Sequence, residues 1–218
     1  MMKNAIFDLD GTIIFSHEDV LDSLEYAYQE LQIPFTIKNH RELIGPPLAE
    51  VILKISPNLA EDQIQALVTE FKKHYDTSEY KKTILISGIK ELLSYFLEKK
   101  IRMFIATNKR YFPAKRVLGI LNLFSYFEDI ITPDKEKNSS LKKEAMIQLI
   151  IDKYQLNLKE TVMIGDTEHD IYAAHANNIS SIGFVSGYGD EALLRESQPT
   201  KIVNEIIEIK EFIQKKAL

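Results

Sequence analysis

The sequence contains no cysteine. That removes disulfides, thiolate zinc sites and cysteine nucleophiles, so any chemistry has to run on oxygen and nitrogen groups. No apolar run approaches the roughly 18 residues that span a membrane, and no signal-length apolar segment stands before the first strand pattern. A soluble cytoplasmic chain without a membrane partner is expected. Basic charge is not in excess: 27 Lys and Arg stand against 32 Asp and Glu, for a net charge of −5. The cations are spread along the chain, with no basic stripe to neutralise a nucleic-acid backbone. A nucleic-acid polymer is therefore not an expected partner, although that argument does not touch a single nucleotide. Internal repeats and low-complexity segments are also missing. The 218 residues, 45% of them hydrophobic, are enough to bury a substantial core in one domain or in one domain with an insertion.

The apolar run Ala5-Ile6-Phe7 ends in Asp8-Leu9-Asp10-Gly11-Thr12. Such a run closing on charges and a glycine reads as a buried strand whose carboxyl end opens into a turn. In open α/β sheets the crevice beyond those strand ends is where ligands sit. Taken alone, Asp8 and Asp10 also fit ordinary turn residues. The same form recurs, however: Ile101 to Ala106 ends in Thr107-Asn108-Lys109, and Thr161 to Ile164 ends in Gly165-Asp166-Thr167-Glu168-His169-Asp170. Between them, Ser139 or Ser140 is a candidate N-cap for a helix carrying Lys142 and Lys143 in its first turn.

Helical spacing covers 19–32, 39–55 and 60–79 with no strand pattern between. From about residue 84 helices and strands alternate: helix 88–99, strand 101–107, helix 111–121, strand 129–132, helix 140–154, strand 161–165, helix 168–177 and strand 180–185. A surface-helix pattern follows at about 204–216. Alternation of this kind predicts an α/β fold, a Rossmann-like parallel sheet with helices on both faces. The first strand belongs with that sheet. Residues 1–15 and 83–218 therefore form the expected core, and 16–82 an inserted α-helical cap on hinges near 13–17 and 80–85.

A sheet edge that gathers Asp8, Asp10, Asp166 and Asp170 demands a cation, since each like pair at about 4 Å costs on the order of 4 kcal/mol at an effective dielectric near 20. Hard oxygen ligands with no cysteine and no histidine cluster favour Mg²⁺. Thr107 either caps the next helix or, with backbone N–H groups, holds a phosphate oxygen. Lys142 and Lys143 sit where the helix dipole disfavours positive charge, a misfit that a function would explain. Asp170, three residues after Thr167, fits a capping box as well as a place near the metal. Thr12 and Gly187-Tyr188-Gly189 read as turns, and Pro46-Pro47 as a rigid turn between helices.

In their order, Asp-x-Asp-Gly-Thr, Thr-Asn, Lys and Gly-Asp-x-x-x-Asp, these motifs resemble the four motifs of the haloacid dehalogenase-like hydrolase superfamily over nearly the whole chain. Ile44-Gly45-Pro46-Pro47-Leu48, the Lys142-Lys143 pair and Gly187-Tyr188-Gly189 are similar to the branch of phosphoglycolate phosphatases and nucleotidase-like phosphatases. The resemblance implies a Mg²⁺-dependent phosphatase of small phosphorylated metabolites, monomeric or homodimeric. It implies Asp8 as nucleophile, Asp10 as acid and base, and a metal bound by the Asp8 carboxylate, the Asp10 carbonyl and Asp166. It further implies Thr107 and Asn108 on the phosphoryl group, Lys143 (or Lys142) as its counter-charge and Asp170 behind that lysine. His17, at the first hinge, is placed either for substrate contact or as an exposed hinge histidine, and Arg41 falls where a cap would face the cleft and shape specificity. A phosphomutase of the same superfamily or a non-catalytic phosphometabolite binder are the rival expectations.

Overall fold

Asn4–Phe7, every residue buried, form strand β1. The computed structural model describes residues 2–37, 44–135 and 141–216. In it, β1 lies between β4 (Arg102–Ala106) and β6 (Thr161–Gly165). The sheet continues to β5 (Asp129–Ile131) on one side and through β7 (Ser180–Phe184) to β8 (Lys201–Val203) on the other. All of its pairings are parallel. The chain steps outward from β1 through β4 to β5, returns to β6, and steps outward again to β8, so the strand order reverses beside β1. Phe7 is level with Ile105 and with Ile164. Asp8, Thr107 and Asp166 thus lie beyond the carboxyl ends of three neighbouring strands, at the point where α/β sheets bind ligands.

Helices cover both faces, which is why the strands read as continuous apolar runs rather than alternating ones. On one face Ile6, Phe104 and Met163 pack with Met146, Ile147 and Ile150 of α6 (Lys143–Tyr154) and with Ala173 and Ala174 of α7 (Glu168–Ala176). On the other, the Phe7 ring lies 6.0 Å from Phe96 of α4 (Ile89–Glu98) and meets Phe127 edge-on at 6.0 Å. Each such side chain, fully buried, contributes about 1.5–3 kcal/mol. The core also carries α5 (Tyr111–Ile120), α8 (Glu191–Glu196) and α9 (Ile206–Lys216).

The chain divides into two compact units, Met1–Phe15 with Leu85–Leu218, and Ser16–Ile84. The second holds α1 (His17–Glu30), α2 (Leu48–Ile55) and α3 (Glu61–Thr77), built around buried Leu24, Tyr28, Ile52, Leu67 and Phe71. Its first turn is tied to its last residues: buried Asp19 accepts hydrogen bonds from Thr83 Oγ1 at 2.6 Å and Lys82 N–H at 3.4 Å. A second sheet pairs β2 (Ile14–Phe15) with β3 (Ile84–Leu85).

Several elements differ from the sequence pattern. The helix expected over 39–55 begins only at Leu48, because Pro47 stands at its N-cap with φ −56° and a proline ring is not accommodated in a helix interior; residues 38–43 lie outside the described ones. The helix expected from 140 starts at Lys143 with Lys142 as N-cap, and Ser139 and Ser140 lie outside the described residues. α8 and β8 were not anticipated. α8 is short and is capped by Asp190, whose Oδ1 accepts from the Ala192 and Leu193 N–H groups at 2.8 and 3.0 Å. Among the described residues no helix is long and apolar enough to cross a membrane.

Candidate active site

Asp8 is held at the end of β1 by its own N–H, which donates to the Ile164 carbonyl at 2.9 Å. The chain then turns back: Leu9 O accepts from Ile13 at 2.9 Å and from Ile14 at 3.1 Å. Gly11 sits in this turn at φ +87°, a left-handed conformation that a β-carbon disfavours. A β-carbon there would also overlap the Asp166 carboxylate. The turn brings Thr12, fully buried, under that carboxylate, and Thr12 Oγ1 donates to Asp166 Oδ1 at 2.9 Å.

Asp166 follows β6 and is buried. Its second oxygen accepts from the Tyr188 N–H at 2.7 Å and the Gly189 N–H at 3.3 Å. Gly187-Tyr188-Gly189 is therefore more than a turn; it wraps Asp166, and a β-carbon on Gly189 would overlap the Asp166 backbone. Asp170 opens α7 in a capping box: its Oδ2 accepts from Thr167 N–H at 3.0 Å and Thr167 Oγ1 at 2.7 Å. Its Oδ1 accepts from Lys143 Nζ at 2.6 Å. The same ammonium lies 2.8 Å from Asp8 Oδ1. Lys143 is buried and Lys142 exposed, so of the two lysines Lys143 is the one beside Asp8.

Three buried carboxylates thus share one ammonium. Burial, then the neighbouring charges of Asp8 and Asp170, push the Asp166 carboxyl up to about 8. Burial also lifts Asp8, to about 7, against the pull of Lys143. Burial alone would lower Lys143, but the charges of Asp170 and Asp8 outweigh it and hold the ammonium above its ordinary value. Asp8 Oδ1 is buried and pairs with that ammonium. One oxygen each from Asp8, Asp166 and Asp170 lie within 4.8 Å of one another. Formal charges of −3 and +1 leave −2 in the cluster. A hard divalent cation fits both the charge and the all-oxygen donor set.

On the next strand Thr107 is buried. Its N–H donates to Ile131 O at 3.2 Å and its Oγ1 accepts from the Lys109 N–H at 3.2 Å, which leaves the hydroxyl proton available for a phosphate oxygen. Asn108 is exposed on this turn. Lys109 reaches across to Asp10, with Nζ at 3.0 Å from Oδ1 and 3.3 Å from Oδ2. The structure therefore brings Asp8, Asp10, Thr107, Lys143, Asp166 and Asp170 to one sheet edge. His17 is the first residue of α1, in the second unit, and Arg41 lies outside the described residues. Sequence reasoning missed Thr12 and Lys109 as partners of Asp166 and Asp10. The only signal for either is its position, next to an acidic motif or just past a strand end.

A profile of the haloacid dehalogenase-like hydrolase family matches residues 5–184. The chain is 32% identical to a phosphoglycolate phosphatase of Photobacterium profundum, with 95% of this chain and 94% of that protein covered. It is 25% identical to a 5′-nucleotidase of Pseudomonas aeruginosa, with 97% and 95% covered. A solved haloacid dehalogenase-like family hydrolase from Streptococcus pneumoniae superposes with a TM-score of 0.86 at 25% identity, covering 97% of this chain and 98% of that one. With a buried Asp8 at the reversal of the strand order, Lys143 against it and Asp166 beside it, the chain belongs to the haloacid dehalogenase-like hydrolase family, in its phosphatase branch.

Proposed function

We propose that this protein is a Mg²⁺-dependent phosphatase that hydrolyses small phosphomonoesters through a covalent phosphate on Asp8. The observation that carries this reading is Asp8 itself, a buried carboxylate at the end of β1 with the Lys143 ammonium 2.8 Å from its Oδ1 and Asp166 beside it. Carboxylates are competent nucleophiles toward phosphorus when held in line with it. Asp8 attacks phosphorus and the bond to the leaving oxygen breaks. Asp10, two residues on, gives that oxygen a proton and later takes one from the water that hydrolyses the aspartyl-phosphate. Thr107 Oγ1 and Asn108 hold the transferring group, and Lys143 neutralises it as cations do in phosphoryl transfer. Asp170 fixes Lys143 while capping α7.

The Asp8 and Asp166 side chains and the Asp10 carbonyl would hold Mg²⁺. When bound, Mg²⁺ supplies the positive charge that lets a phosphate dianion approach this acidic cluster. The inserted helical unit is assigned the choice of substrate, with His17 and Arg41 as specificity residues. The named relatives favour phosphoglycolate or a nucleotide as that substrate, handled in the cytoplasm.

Rapid quench with a labelled ester, or trapping with beryllium trifluoride, should mark Asp8. Asp8→Asn should fold and lose turnover. Label on another side chain, or wild-type rates in Asp8→Asn, would refute the mechanism.

A further inference from the structure

The ion pair between Lys109 and Asp10 has no part in the scheme above. It is also well enclosed, with side-chain exposures of 7% for Lys109 and 13% for Asp10, unlike the chain's solvent-facing pairs, which contribute little. Its ammonium meets both carboxylate oxygens, at 3.0 and 3.3 Å. The lysine is in turn fixed from behind: its N–H donates to Thr107 Oγ1 at 3.2 Å, and Thr107 is anchored to β5 through Ile131 O. The turn after β4 therefore both presents Thr107 and aims Lys109 at Asp10.

We propose that Lys109 is a positioning residue for Asp10 in the second half of the reaction, when the phosphate on Asp8 is hydrolysed. This inference rests on the phosphatase reading given above. A lysine ammonium has three donors and no acceptor, so in this contact both oxygens of Asp10 serve as acceptors. That arrangement suits the step in which Asp10 receives a proton. The water oxygen attacks phosphorus, the bond from phosphorus to Asp8 Oδ breaks, the water proton passes to the Asp10 carboxylate, and Asp8 is released as a carboxylate beside inorganic phosphate. To give a proton to a leaving oxygen in the first half, Asp10 has to turn one oxygen away from Lys109. Losing Lys109 therefore harms the second half more than the first.

The test is steady-state and pre-steady-state kinetics of the full chain with Mg²⁺ on p-nitrophenyl phosphate, whose phenolate leaves readily. In Lys109→Met, kcat should fall about 10- to 30-fold, a modest share of the 10²–10⁴ that a proton-transfer group supplies. kcat/KM, which reports only through formation of the phospho-enzyme, should stay within about 3-fold. A burst of nitrophenolate should appear as phospho-enzyme accumulates, and Lys109→Arg, able to span both oxygens, should recover most of kcat. A parallel fall of kcat and kcat/KM without a burst overturns the proposal, as does an unchanged kcat. If Lys109→Met fails to fold, Lys109→Arg decides: a burst-free loss as large as that expected for Met rejects the assignment. Wild-type protein that releases no nitrophenolate would instead sink the phosphatase reading, and this inference with it.

Discussion

Asp8 and Asp166 are carboxyl groups that folding pushes above their ordinary 3.8, to about 7 and about 8, chiefly by burial. Between about pH 4 and pH 8 the folded chain therefore holds more protons at these sites than the unfolded chain. Their contribution to stability is complete below pH 4 and is lost as pH rises toward 8. A divalent cation competes with those protons, so the rise in Tm that Mg²⁺ gives over chelator should be larger at about pH 8 than at about pH 5. Comparing the two at each pH cancels the remaining titrating groups, and thermal melts in Mg²⁺ and in EDTA measure it. A rise that is level or smaller at the higher pH would contradict the cation site. Asp8, Asp10 and Asp166 were legible in the sequence because each ends or follows an apolar run beside a glycine. Thr12 was not, since its partner Asp166 lies 154 residues away and no local pattern encodes such a meeting. Lys109 was hidden in the same way, 99 residues from Asp10.

Among the elements, the turn after β7 carries more than its length suggests. It sends two backbone N–H groups into Asp166, and Phe15 packs edge-on against its Tyr188 at 5.5 Å. A β-carbon at residue 189 would strike the Asp166 backbone, where nothing flexible can yield. Gly189→Ala should cost about 1–3 kcal/mol, a fall in Tm of about 2–12 °C for a chain of this size. It should also weaken Mg²⁺ binding, because Asp166 loses its aim. Calorimetry with a Mg²⁺ titration checks both, and a variant with unchanged Tm and Mg²⁺ affinity would show that the turn does not hold Asp166. The main strands were readable in advance: β1, β4 and β6 are buried along almost their whole length and carry the apolar runs Ala5-Ile6-Phe7, Met103-Phe104-Ile105-Ala106 and Val162-Met163-Ile164. β8 was not, because Lys201-Ile202-Val203 is three residues long and takes its identity from β7 beside it rather than from its own pattern. The start of α6 slipped from 140 to 143 because the chain carries no local stop there that a reader could weigh against the serines.

At the scale of the whole molecule, the substrate choice proposed for the inserted helical unit predicts small phosphorylated metabolites over polymers. Phosphate release should be measurable on phosphoglycolate, sugar phosphates or nucleoside monophosphates and weak on phosphopeptides. Arg41→Ala should reorder the metabolites while leaving a small generic ester less affected. Faster turnover of phosphopeptides than of every metabolite, or an equal loss on all substrates in Arg41→Ala, would overturn that division of labour. The insertion also has a consequence for synthesis. β1 leaves the ribosome well before β4 and β6, which it needs as neighbours, and its Asn4 amide meets Thr161 from 157 residues away. At roughly 5–20 residues per second, the central strand of the sheet waits about ten seconds or longer with one edge bare, while the unit Ser16–Ile84 is contiguous and has its own core to fold around. A ribosome that stalls before residue 161 holds a chain whose helical unit is complete and whose β1 still offers an unpaired edge, the kind of edge that other chains adopt.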